Sequence, residues 1–240
     1  MRSRAISGLV VAAIVLGACG GETTEVVVTA EERGAALFAD PAMGREGNVV
    51  ACADCHATTV GGGPGLPGAD LVNVAFRPSY WGGQEDDLLD AVNTCLFWFM
   101  GRPAPLEADD PAGVDLYAYL ASLEGDDGVP PRSFTIGDVV WPGEGDAARG
   151  APIYDRSCAW CHGALHTGDG AESPAAPVLP DDTIAAHPLG DYTEEARRLV
   201  FVEKVRHGPF LGYGGTMPPF SLEVISDAEL ADLLTFMEVP

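Results

Sequence analysis

The chain has 240 residues, 47% of them hydrophobic, and its 36 acidic side chains outweigh 13 basic ones for a formal net charge of -23. That balance excludes nucleic-acid binding, because phosphate contact needs clustered Lys and Arg, and Lys204, the only lysine in the sequence, leaves no lysine ring for docking onto acidic partners. A protein partner that docks by charge must present a basic face, unless the acidity serves only solubility.

Arg2 and Arg4 precede an apolar run from Ile6 to Leu16. The run is shorter than the roughly 20 residues that span a bilayer. Its basic start and small-residue end mark an export signal. It closes in Leu16-Gly17-Ala18-Cys19, which resembles the bacterial lipobox. That resemblance implies diacylation of Cys19, which becomes the new N-terminus; the alternative is an ordinary signal peptide with an incidental Cys. Residues 1–19 are assigned to signal and lipobox, and the polar, acidic and then Val/Thr-rich 20–30 to a tether. The expected location is the periplasmic side of a bacterial membrane, anchored through lipid, on the outer membrane in a Gram-negative cell.

What remains, about 220 residues, suits two domains, and it repeats one plan. The first unit, 31–124, opens with a short amphipathic helix, Glu31 to Phe38, and an extra stretch, Asp40 to Val50. Then comes Cys52-Ala-Asp-Cys55-His56. A Gly/Pro-rich excursion, a middle helix over Glu85 to Phe99 and a closing helix over Gly113 to Leu123 complete the unit. Residues 125–145 are rich in Gly, Pro and Asp and form a linker. Within it Ser133 to Ile136 and Val139 to Trp141 are expected as short extended segments wrapping one domain. The second unit, 146–240, opens with a helix over Ala147 to Tyr154 and reaches Cys158-Ala-Trp-Cys161-His162. Its middle helix is expected over Tyr192 to Arg206 and its closing helix over Asp227 to Met237. Ser226-Asp-Ala-Glu229 is a capping box that fixes the last start. Tyr117, Leu120, Leu230, Leu233, Leu234 and Phe236 are spaced to turn one face inward.

Two thiols three residues apart can both form thioethers with the vinyl groups of a haem, and the adjacent His reaches the iron. Four thiolates around zinc are the rival reading, but such a site does not need a His after each pair. The sequence thus implies two covalently bound haems c, held by Cys52, Cys55, Cys158 and Cys161, with iron ligands His56 and His162. The order of helix, haem turn, loop, distal ligand and closing helix resembles the cytochrome c fold, twice. The expected fold class is all-α: two tandem cytochrome c domains with long Gly/Pro-rich loops.

For the sixth position of the second iron, Gly214-Gly215-Thr216-Met217-Pro218-Pro219-Phe220 resembles the distal-Met loop of class I cytochromes. The resemblance implies Met217 as metal ligand, with His207 as rival and His166 and His187 behind it. The first unit has no Met-Pro phrase; its candidates are Cys95 and Met100, which helical geometry turns about 140° apart. Asn93-Thr94-Cys95 with a Met five residues on and Gly101-Arg102-Pro103 after it resembles thiosulfate dehydrogenases and the A subunit of the Sox sulfur-oxidation complex. Carried over by position, that resemblance implies Cys95 as metal ligand and Met100 as packing, while a purely structural thiol remains open. Those enzymes place basic residues near the thiolate-ligated haem to hold an anionic sulfur substrate. Here Leu96-Phe97-Trp98-Phe99 follows the Cys, with Arg102 the nearby cation in sequence and Arg77 available from the preceding loop. No catalytic residue is assigned. A one-electron carrier is favoured over a subunit of a larger respiratory complex, and both over a sulfur-compound oxidoreductase.

Overall fold

Thr29 and Glu32 cap the first helix reciprocally. The Thr29 amide donates to the Glu32 carboxylate at 2.8 Å, and the Glu32 amide donates to the Thr29 hydroxyl at 3.2 Å. α1 (Ala30–Phe38) follows, beginning one residue inside the expected tether. The computed structural model describes residues 27–61, 68–125, 128–208 and 217–240. The export signal, Cys19 and most of the tether lie outside the described residues, as do Gly214, Gly215 and Thr216.

Among the described residues the further α-helices are α2 (Leu88–Trp98), α3 (Pro111–Ser122), α4 (Ala147–Ser157), α5 (Ala159–His162), α6 (Asp181–Ala186), α7 (Glu194–Arg206) and α8 (Asp227–Phe236). Among the described residues there is no strand beyond an isolated antiparallel bridge between Tyr80 and Glu85, so the fold is all-α. That bridge corrects one boundary. α2 starts at Leu88 rather than Glu85, because the Asp87 side chain accepts from the Leu89 and Asp90 amides and sets the N-cap there. Thr193 likewise moves the start of α7 from Tyr192 to Glu194. α3 starts earlier than expected, with Pro111 in its first turn, where a missing N–H leaves no bond unmade. The capping box at Ser226 and Glu229 is present as read from sequence.

The two halves repeat one helix crossing. Arg33 grips the Asp115 carboxylate with two bonds of 2.7 and 2.6 Å, tying α1 to α3. Arg149 grips Asp232 at 2.7 and 2.8 Å, tying α4 to α8. Each Arg holds its carboxyl below the usual range, through the bonds first and its charge after. The next residue is Gly in both copies. A Cβ on Gly34 would stand 2.6 Å from the Tyr119 Cβ, and one on Gly150 the same 2.6 Å from the Phe236 Cβ, with the closing helix's carbonyl nearer still. One turn on, Phe38 packs on Tyr119 at 5.4 Å and Tyr154 on Phe236 at 5.7 Å between ring centroids. Backbones this close admit only a hydrogen at the crossing.

Gly150→Val should therefore force α4 off α8. We expect a loss of at least about 3 kcal/mol, the upper part of the range for overpacking a tight site. For a unit of this size that is a fall in Tm of more than about 10 °C. A thermal melt of the holoprotein followed by circular dichroism checks it.

Each half has its own core. Phe38, Leu88, Leu96, Met100, Leu116 and Leu120 belong to the first, and Tyr154, Phe201, Val202, Leu230, Leu233 and Leu234 to the second. One expected core residue is misplaced: Tyr117 is 49% exposed. Leu116 and Leu120, four apart, define the buried face of α3, and Tyr117 stands about 100° round from Leu116.

The segment between the halves bridges both instead of wrapping one. Asn73 donates to the Val129 carbonyl at 2.8 Å, and Arg132 pairs with Asp70 at 2.8 Å, both in the first half. Arg132 also donates to the Glu223 carbonyl at 2.9 Å, while Thr135 accepts from the Leu222 amide at 3.0 Å. Val139 and Trp141 pack on the second core. No helix among the described residues is long and apolar enough to cross a membrane.

Candidate haem sites

Both Cys-x-x-Cys-His phrases sit on single tight turns. Cys52–Asp54 is a 3₁₀ turn, closed when the Asp54 carboxylate accepts the Ala51 amide at 2.7 Å. The second phrase coils as α5, directly after α4, with the Cys158 amide bonded back to Tyr154 at 2.8 Å. In each turn the His amide donates to the carbonyl of the first Cys at 2.9 Å. Helical winding of this kind puts both thiols and the imidazole on one side of the chain.

The two imidazoles are held alike. His56 Nδ1 lies 2.8 Å from the Ala69 carbonyl and His162 Nδ1 lies 2.9 Å from that of Pro177. Donation from Nδ1 to a carbonyl fixes the tautomer and leaves the Nε2 lone pair for a metal. Burial lowers both ring pKa values against the opposing pull of those bonds, and Arg77 and Lys204 respectively add to the lowering. The rings are thus neutral, as a metal ligand must be. Gly68 makes room for the first ring: a Cβ there would stand 2.5 Å from His56 Nδ1.

Cys52, Cys55 and His56 open onto an apolar cavity of the first half, and Cys95 reaches the same cavity from α2. Burial pushes the Cys95 thiol well above its ordinary pKa, and the nearby Cys52 and Cys55 add to the rise. Burial likewise raises Cys52 to about 11, and Cys55 and Cys158 to about 12.

Met100 lies elsewhere. α2 ends at Trp98, so the helical angle between Cys95 and Met100 does not apply. The extra stretch of the first unit folds back over Met100, whose carbonyl accepts the Arg45 amide at 2.9 Å, and its side chain is buried in the core. Arg102 is also taken up by that stretch, donating to the Met43 carbonyl at 3.0 Å. Arg77 is the cation in the cavity wall. Its Nη2 donates to the Asp70 carbonyl at 2.9 Å, while its buried Nε has no partner. Two thiols, a neutral imidazole, apolar walls and one orphaned guanidinium donor fit a haem, whose propionate would take the Arg77 donor.

In the second half, Met217 is half-buried and packs on the core that contains Cys158. Of the His rivals, His207 has both ring nitrogens engaged. His207 places Nε2 3.1 Å from the Gly137 carbonyl and Nδ1 3.1 Å from Glu203. His166 Nδ1 pairs with Asp181 at 3.0 Å on an exposed surface, and His187 Nδ1 meets the Thr183 carbonyl at 2.8 Å.

Nothing in the motif reading singled out Gly68, Asp115 or Asp232, nor the contribution of Pro218, Pro219 and Val224 to the first cavity. One signal was available for the two acids: both closing helices carry Asp four residues before an aromatic, Asp115…Tyr119 and Asp232…Phe236.

A helical fold with a Cys-x-x-Cys-His turn, crossed by its first and last helices, is like that of a cytochrome c domain. Residues 145–237 match the family model described as cytochrome C oxidase, cbb3-type, subunit III. No curated protein matches the chain. The match supports a cytochrome c domain in the second half, which implies covalently bound haem c and electron transfer.

Proposed function

We propose that the protein is an exported, lipid-anchored dihaem cytochrome c that passes single electrons between respiratory partners. One observation carries the reading: both Cys-x-x-Cys-His turns hold their His in the same way, with Nδ1 on a backbone carbonyl. A second haem in the first half is the simplest reason for the second copy. The haem supplies the one-electron couple. The chain attaches it through Cys52 and Cys55 or Cys158 and Cys161, ligates it through His56 or His162, and keeps water from its faces with apolar walls. Cys95 is proposed as the sixth ligand of the first iron and Met217 of the second. The net charge of -23 favours partners with basic docking faces, and Cys19 is the proposed anchor to a membrane facing the periplasm.

A specific observation also favours membership of a larger assembly. The family matched by residues 145–237 is described as a subunit of a cytochrome oxidase, and a lipid-held cytochrome would be well placed as such a subunit. Fractionation tests the main reading. Haem-stained protein should partition with membranes and accept electrons reversibly after detergent extraction, and Cys19→Ala should release it into the soluble fraction. Co-purification with oxidase subunits through mild detergent would favour the assembly. Cys19→Ala protein that stays on the membrane would remove the lipid anchor from the proposal.

A further inference from the structure

Three side chains of the second half stand in the wall of the first half's cavity: Pro218, Pro219 and Val224. The prolines directly follow Met217. Val224 lies on the turn after them, where its amide donates to the Ser221 carbonyl at 3.1 Å, and it also packs on the second core. The bridging segment clamps that turn in place. The Thr135 hydroxyl and amide bond the Glu223 carboxylate at 2.6 and 2.9 Å, and Arg132 spans from the Glu223 carbonyl to Asp70. Phe134, between them, enters the same cavity wall and packs on Trp81 at 5.4 Å.

We propose that the first haem site is completed by the second unit, the segment Met217–Val224 serving both as the second unit's distal loop and as a wall of the first unit's cavity, so that charge on one unit sets the redox potential of the other. The inference rests on the dihaem reading above. Its physics is electrostatic. The shared wall is apolar, Pro and Val against Phe and Trp, and a charge across such a wall is screened far less than in water. An electron resting in one unit raises the cost of adding one to the other.

Redox titration of the purified holoprotein, followed by optical and EPR signals, tests this. The first haem is the signal lost in a Cys52→Ala/Cys55→Ala variant. Val224→Asp sets a carboxylate in the shared wall, which favours ferric iron. We expect the first haem's Fe(III)/Fe(II) ratio at fixed potential to rise at least tenfold, a shift of 59 mV or more for one electron. The neutral Val224→Asn should shift it less than threefold. Equal shifts in the two variants, or a shift confined to the second haem, would overturn the proposal. Fewer than two haems per chain in the wild type would instead defeat the dihaem reading.

Discussion

Changing Cys158 and Cys161 together to Ala should lower the haem content from two per chain to one and unfold the second half. Cys158 is 6% exposed and His162 8%, and Cys158 belongs to the second core. A haem fastened there is core material. Removing it leaves an apolar void larger than one deleted leucine, and such deletions already cost about 3–5 kcal/mol. A domain's whole stability is about 5–15 kcal/mol, so the loss consumes most of it. The corresponding change at Cys52 and Cys55, which open onto the first half's cavity, should remove the other haem. Intact mass after acid-acetone extraction counts the haems, and limited proteolysis reports which half opens. Two haems retained in the Cys158→Ala/Cys161→Ala variant would overturn the attachment sites.

Local chemistry explains what the sequence disclosed. The capping box at Ser226 acts within four residues, and so does each haem turn, so both could be read directly. The repeated openings were visible as well, since Arg33-Gly34 and Arg149-Gly150 are written identically. Their partners were harder to find. Asp115 lies 82 residues from Arg33 and Asp232 83 from Arg149, and periodicity carries no information across that span. The linker misled for a similar reason. Gly, Pro and Asp mark it as non-helical, and its described residues are, but composition does not say what Arg132, Phe134 and Thr135 bind. Spacing alone turns Tyr117 inward, but the tighter pair Leu116 and Leu120 already fills that face. Helix-end placement decided Met100: with α2 stopping at Trp98, the residue passes under the inserted stretch and away from the cavity.

Cys95→Met should raise the potential of the first haem and leave a six-coordinate iron that still passes electrons. The thiol reaches the cavity that His56 opens onto, and Met100, buried in the core, does not line it. A thioether holds a cytochrome iron at high potential, whereas a thiolate donates charge and favours the ferric state. In the wild type the Met217 haem should therefore reduce first, and the Cys95 haem should remain oxidised in a mild reductant. Burial holds the free thiol protonated, but bonding to iron removes its proton outright. The same variant separates carrier from sulfur enzyme. An anion such as thiosulfate would have to cross the field of a chain with net charge -23 and enter a cavity whose walls are apolar except at Arg77. Arg102, the other cation near Cys95 in sequence, is spent on the Met43 and Ala104 carbonyls. We expect no thiosulfate turnover by the purified wild type. Turnover that is present in the wild type and lost in Cys95→Met would make the first haem a catalytic centre for sulfur oxidation. Two haems titrating together at high potential would remove Cys95 from the iron altogether.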